Sequence, residues 1–418
     1  MSKLEQLSKI TSRINKEAKK VNPDSPDVAF IAAGNEDMLD FGLMPTGNPA
    51  IDAALGGGIP RGNIIQWVGD EGTGKTCAAM DMIAYNQKIA KEKGEEFITI
   101  YVHFEASAFP LLPALNAGVD LDSLLIVNAL DSAEKTFDIL LRYMWDWEKR
   151  KPQNLVDLVV IDSITAAAPE AELKSSEESL ANNTIGRHAA MMSKFMRDFM
   201  GPGALGRAVF LLINQYRTNV GGYGDPRVVT GGKSMGYFPK ITLAISKPAK
   251  GVLKRGKGAE EETYGHTVEG KVVKNNTQVG KPHVTFSYPV IYGQGVDPVM
   301  PVIDIAIRKG ILKQLSSAYW DITYKEEYIK FHGKSSIETR AREDAAFFQY
   351  LQDRVVGAIE EVTEENAPLP DGVVEAFDGL AEYALKEYEA GNTRDIREFA
   401  EENGIELSED IGDTYEPI

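Results

Sequence analysis

The chain has 418 residues, long enough for two to four domains and a sizeable core, and its 43% hydrophobic and 26% charged content is that of a globular protein. It holds no run of about 18 apolar residues, and MSKLEQLSKITSRINKEAKK at its start has no apolar leader stretch. A membrane helix is therefore excluded and a cytoplasmic setting expected, which the single cysteine, Cys77, also fits. The formal net charge of -17 argues against a nucleic-acid partner only until it is mapped. Glu360–Ile418 holds 19 acidic and 3 basic residues, leaving Met1–Ile359 with 43 acidic and 42 basic and free to carry positive patches.

In chain order, Leu4, Leu7, Ile10 and Ile14 form a narrow helical stripe, too thin for a core and therefore expected to dock on another surface. NPDSP (Asn22–Pro26) reads as a linker and DVAFIAAG as a short strand. From about Asp40 to Asp297 strand-like runs (IIQWVG, FITIYVHF, LVDLVVID, AVFLLIN, ITLAIS, HVTFSYPVI) alternate with helices such as Cys77–Ala90 and His188–Met200. That alternation predicts an α/β fold whose sheet is parallel at least in its first part. A smaller α/β region follows from Asp304 to about Val362, with the strand-like YWDITYKEEYIKFHG and a helix from Ala345 to Glu360. The acidic remainder has helical patterning.

GDEGTGKT, Gly69–Thr76, matches G-x-x-x-x-G-K-[ST] between a strand and a helix. Such a loop turns the N–H groups of Gly69, Asp70, Glu71, Gly72, Thr73 and Gly74 toward phosphate oxygens, and the helix N-terminus adds positive potential. Lys75 can reach the β- and γ-phosphates of a nucleotide, and Thr76 can ligate Mg²⁺. Cys77 closes the run as a small packing residue. Asp162 ends the strand LVDLVVID; a strand-end Asp can cap a helix, but with a phosphate loop upstream it reads as the second Mg²⁺ group. Glu105, at the end of FITIYVHFE, is either a solvated strand-end residue or the carboxylate that orients the attacking water.

The strand FLLIN runs into a loop of little apolar content, Tyr216–Lys233, which offers Arg217, Arg227, Lys233, glycine N–H groups and two tyrosines, Tyr216 and Tyr223. Cations beside backbone donors and aromatics suit single-stranded DNA. KPAKGVLKRGKG, with Lys254, Arg255 and Lys257, reads as an exposed hairpin or loop that either guides duplex DNA or solubilises. The acidic tail has three readings: solubiliser, decoy competing with DNA, or docking site for loader or single-strand-binding proteins.

Taken together, MPTGNPAIDAALGGGIPRGNIIQWVGDEGTGKT, VHFEAS, VDLVVIDSITAAAPEAEL, RHAAMMSKFMRDF, LLINQYR, DPRVVTGGKSM and GKVVKNN resemble the bacterial RecA recombinase family from about Met44 to about Ala306. The resemblance implies a P-loop NTPase core with a central mixed, mostly parallel sheet (37–297) and an N-terminal arm docking on the next protomer (1–36). It also implies a small α/β C-terminal domain (298–362) and an acidic tail (363–418). The function implied is ATP-dependent filament formation on single-stranded DNA, with homologous pairing to duplex DNA, strand exchange and DNA-stimulated hydrolysis. A RecA-like ATPase without strand exchange, such as a helicase loader or switch ATPase, is the alternative, disfavoured by the loop after Gln215 and the TGGK that ends it. By position Glu105 matches the catalytic glutamate, Asp162 the Mg²⁺-site aspartate, Gln215 the γ-phosphate sensor and Lys274 a lysine reaching a neighbour's ATP. Glu172–Gly186, with Arg187 and Arg197 after it, matches the first DNA loop; Tyr216–Lys233, including Arg217, Arg227, Thr230, Gly231, Gly232 and Lys233, matches the second. Three positions depart from the pattern: His103 stands for an acid, Leu112 for the aromatic that stacks on adenine, and Asn276 for a second interface lysine, with Lys281 within conjectural reach. The departures point to an outlying or phage homologue, in a bacterial or phage-infected cell.

Overall fold

The structure is a computed structural model that describes residues 9, 13, 16 and 20, and residues 42–365 apart from 106–107, 129–131, 147–150, 174–185, 201–205, 219–226, 257–260 and 278. Lys9, Arg13, Lys16 and Lys20 are helical and exposed. Outside the described residues lie the Leu4–Ile14 stripe, the NPDSP linker, the DVAFIAAG strand and most of the first DNA loop. The second loop's tip with Tyr223 and the acidic segment after 365 lie outside them too.

The described elements begin with β1 (Leu43–Met44), α1 (Pro49–Leu55), β2 (Ile59–Pro60), β3 (Ile64–Val68), α2 (Lys75–Lys93), β4 (Thr99–His103), α3 (Leu111–Ala117), β5 (Leu124–Asn128) and α4 (Ala133–Met144). After the short pair β6 (Trp145–Asp146) and β7 (Lys151–Pro152) come β8 (Leu158–Asp162), α5 (Arg187–Met200), β9 (Val209–Asn214), β10 (Tyr216–Thr218), β11 (Arg227–Val229) and α6 (Ser234–Tyr237). The core closes with β12 (Ile241–Ser246), β13 (Val252–Arg255), β14 (Glu262–Asn275), β15 (Thr285–Ile291) and β16 (Gly295–Val296).

The main sheet has ten strands in the order β16-β15-β14-β12-β3-β9-β8-β4-β5, with β13 paired to β14. Strands β12 through β5 of that order run parallel; β14, β15 and β16 join antiparallel. The sheet is thus mixed and parallel in its first part, as the alternation predicts. Every residue of β3, β4, β8 and β9 is buried, as expected of parallel strands covered on both faces. Alternate residues supply two cores. Trp67, Tyr101, Val160 and Leu211 pack with α2 on one face. Ile64, Val102, Ile161 and Phe210 pack on the other with α4 and α5, where Phe137 stacks on Phe195 at 4.1 Å between ring centroids.

A third core is built by α7 (Val299–Arg308), a sheet of β17 (Lys313–Ser316), β18 (Tyr319–Tyr324) and β19 (Glu327–His332), and helices α8 (Lys334–Glu343) and α9 (Ala345–Glu365). The run YWDITYKEEYIKFHG is therefore a hairpin rather than one strand. Lys325 and Glu326 both take positive φ, 49° and 67°, between the paired Tyr324 and Glu327. Two left-handed residues make the tight turn whose twist matches a hairpin, here without the glycine or asparagine that usually signals it.

Candidate functional site

The parallel order β3-β9-β8-β4 brings four strand ends to one edge of the sheet, where open α/β sheets form their binding crevice. Gly69 follows β3, Gln215 follows β9, Asp162 ends β8 and Glu105 follows β4. Gln215, Asp162 and Glu105 share a cavity of about 420 Å³ with Glu71–Cys77 of the phosphate loop. Only glycine fits at 69, because a Cβ there would run into the carbonyl oxygen of Ile245.

Lys75 is 6% exposed, and its ammonium donates to the carbonyls of Gly69 (2.9 Å) and Asp70 (2.7 Å) and to Thr73 Oγ1 (3.2 Å). Burial pushes its pKa down, opposed by the carboxylates of Asp162, Asp70, Glu105 and Glu71. Thr76 Oγ1 donates to Asp162 Oδ2 at 2.8 Å, and the buried Tyr101 hydroxyl donates to the same oxygen at 2.6 Å. Burial and the adjacent Asp162 push the Tyr101 hydroxyl pKa upward, so it stays a donor. Asp162 therefore faces the phosphate loop instead of capping a helix. The thiol of Cys77, pushed up by burial and by Asp81, is a partly buried wall of the cavity.

Thr76 and Asp162 offer hard oxygen donors at the mouth of the loop, and among the described residues no cluster of three or more metal-ligating side chains exists. Mg²⁺ suits such a place, because it is commonly held by one or two protein groups with phosphate oxygens and water completing its octahedron.

Asn214, fully buried and missed by sequence reasoning, ties the cavity to the second loop. Its carbonyl accepts from the N–H of Gly69 (3.3 Å), and its amide donates to Gln66 Oε1 (3.1 Å) and to the Thr230 carbonyl (2.8 Å). Its side-chain oxygen accepts from Thr165 Oγ1 (3.1 Å) and the Gln215 N–H (2.8 Å). Thr230 in turn donates its N–H and its hydroxyl to the Gln215 carbonyl, at 3.4 and 3.3 Å. The described part of the loop is an antiparallel ribbon, Tyr216–Thr218 on Arg227–Val229, with the Arg227 guanidinium 5.3 Å from the Tyr216 ring centroid.

Arg187, Arg197, Arg217, Arg227 and Lys233 are exposed, whereas Thr230 and Gly231 are buried. A Cβ at Gly231 would meet Met235 of α6, and one at Gly232 would meet Ala189 of α5, so Gly232 lets the loop's end lie against α5. Arg187 lies in a separate groove between α4 and α5. Lys274 does not line the cavity; its ammonium donates to the carbonyls of Gly236 and Tyr237, both at 2.8 Å. In the β13–β14 hairpin, Lys254 pairs with Glu261 (3.0 Å) and Arg255 with Glu262 (2.9 Å). Its cations are thus partly neutralised by its own strands.

The cavity's other half is walled by Leu112, Pro113 and Asn116 of α3 on one side and by His266, Tyr292 and Gly293 on the other. Asn116 donates to the Gly293 carbonyl across the rim, and Lys247 donates to the Tyr292 hydroxyl at 2.9 Å. Sequence reasoning missed His266 and Tyr292; the aromatic directly before a glycine in IYGQG, just after a strand, was the available signal for the second.

The family model of the RecA N-terminal domain matches residues 12–297. Protein RecA of Chloroherpeton thalassium is 31% identical over 329 residues, 78% of this chain and 84% of that protein. Protein RecA of Chlorobium limicola is 34% identical over 321 residues, 76% of this chain and 83% of that protein. Protein RecA of Thermotoga neapolitana is 29% identical over 348 residues, 82% of this chain and 92% of that protein.

Proposed function

This chain belongs to the RecA family, and from that premise we propose that it is an ATP-dependent homologous recombinase, a DNA-dependent ATPase that polymerises on single-stranded DNA and pairs it with homologous duplex. The observation that carries the reading is the convergence of the phosphate loop, Glu105, Asp162 and Gln215 on one cavity, with Asn214 and Thr230 leading from it to a basic loop.

In this reading the loop N–H groups and Lys75 bind the triphosphate, and Thr76 and Asp162 would hold Mg²⁺, which would supply charge neutralisation for phosphoryl transfer. Tyr101 orients Asp162, and Glu105 positions the attacking water and polarises it. The Gln215 amide meets the γ-phosphate. Because the Gln215 backbone is bonded to Thr230, that contact biases the geometry of the ribbon carrying Arg217, Arg227 and Lys233, which hold DNA phosphates together with Arg187 and Arg197. ATP must favour one loop arrangement over the other for this to work. Lys274, outside its own cavity, serves the nucleotide of a neighbouring protomer in the filament, on which the arm 1–36 docks. The core spans 37–297, the small domain 298–362, and the acidic tail 363–418 competes with DNA or docks loader proteins.

The test is hydrolysis measured with and without single-stranded DNA, then strand exchange on the same preparation; hydrolysis that ignores DNA and yields no exchange sinks the reading. Gln215→Ala should keep ATP binding and lose ATP-dependent DNA affinity. Truncation after Val362 should speed loading on DNA, and unchanged loading would dismiss the decoy role.

A further inference from the structure

The two DNA loops come together at the first turn of α5. Gly232, at the end of the second loop, lies against Ala189. His188, the residue before Ala189, holds the same turn to the end of β8: its Nε2 is 3.0 Å from the carbonyl oxygen of Ile164, in the short turn Ile164–Ala166 that follows Asp162 and Ser163.

That bond settles the chemistry of the ring. A carbonyl only accepts, so Nε2 carries the proton and Nδ1 of the neutral ring is a bare lone pair. Among the described residues Nδ1 has no hydrogen-bond partner, and it is not sealed from solvent. The charges around the ring come from four segments. Arg187 precedes it on α5 and Arg217 lies on β10, both exposed; Glu172 lies after β8 and Glu134 in the first turn of α4. Burial pushes the imidazole pKa down; the Ile164 carbonyl opposes this, Arg217 adds to it, and Glu172 and Glu134 oppose it. The ring is therefore neutral near pH 7. In that form its open nitrogen offers a phosphate nothing. Protonated, it offers an N–H donor and a charge, and a phosphate arriving beside Arg217 offsets the guanidinium that disfavours the proton.

We propose that His188 is a DNA-binding residue at the junction of the two loops that contacts a backbone phosphate as the imidazolium through Nδ1–H, so that single-stranded DNA and one proton from solvent bind together. Nε2 keeps its bond to Ile164 in both states, so the proton adds charge without releasing the helix. The bound ring holds its proton more tightly than the free ring, and affinity therefore rises as pH falls from the pKa of the bound ring to that of the free one. The inference rests on the reading of Arg187 and Arg217 as DNA contacts.

The experiment titrates the full chain, carrying the same nucleotide throughout, with oligothymidylate at constant ionic strength. Between about pH 7.5 and about pH 5.5 the wild-type affinity should rise about three- to tenfold more than that of His188→Gln, whose amide still donates to Ile164 but takes up no proton. Calorimetry within that window, in two buffers of different ionisation enthalpy, should count more protons taken up per protomer by the wild type than by the variant. Equal proton counts and parallel pH slopes would mean that His188 only braces the helix, and the proposal is overturned. Should His188→Gln fail to fold, His188→Asn carries the same comparison, and a wild type that takes up no proton overturns the proposal without any variant. If the wild type binds no oligothymidylate at any pH, the reading of the loops as DNA-binding fails and the inference with it.

Discussion

At one end of the cavity Lys75 donates to three oxygens of its own loop and Asp162 accepts from two hydroxyls; at the other, Leu112 and Pro113 of α3 face His266 and Tyr292 across the opening. A triphosphate arriving at the first end exchanges one set of hydrogen bonds for another, so each exchange nets only about 0.5–1.5 kcal/mol. What that end holds ready is geometry. A base arriving at the second end meets side-chain walls and gains by burying apolar surface against them. In the proposed reading the contrast places the chemistry at the first end and discrimination between nucleotides at the second.

The contrast can be broken by substitutions that separate the ends. The largest expected effect is from Glu105→Gln: turnover should fall about 10²- to 10⁴-fold, while the ratio of ATP to GTP affinity stays as in the wild type. Equal turnover would remove Glu105 from the water-positioning role. Lys75→Ala should weaken ATP and GTP alike by about 10- to 100-fold, and unequal losses would blur the division of labour. Asn214→Ala strips partners from Gln66, Thr165 and Thr230. It should cost about 1–3 kcal/mol in a denaturant titration and loosen the link between ATP and DNA affinity. Smallest is Tyr292→Leu, which should narrow the ATP-to-GTP ratio by about two- to tenfold with turnover at saturation unchanged.

The phosphate end was legible in the sequence because its residues are contiguous or sit at the ends of apolar runs: GDEGTGKT, then Glu105, Asp162 and Gln215. The base end was not. His266 lies on β14 and Tyr292 just after β15, more than 170 residues from the phosphate loop in sequence, and they meet it only through antiparallel pairing across the sheet edge. Asn214 reads as an ordinary end to FLLIN; its five hydrogen bonds become visible only when β3 and β9 are neighbours. Tyr101 could have been suspected, since a tyrosine within a wholly buried strand needs a partner for its hydroxyl. At the surface, charge alone misleads: the hairpin that reads as a basic patch faces its own glutamates, and exposed pairs of this kind contribute little to stability.

In the proposed reading Gln215 would carry two functions: it lines the cavity while its carbonyl accepts both bonds from Thr230. Sensor and output are therefore separated by a single residue rather than by a relay. Such a switch has few components whose alteration would tune its gain, all of them next to the residue itself. Variants with stronger or weaker response to nucleotide should map to the partners of Asn214, Gln215 and Thr230, and substitutions remote from them should shift stability or affinity while leaving the coupling ratio alone.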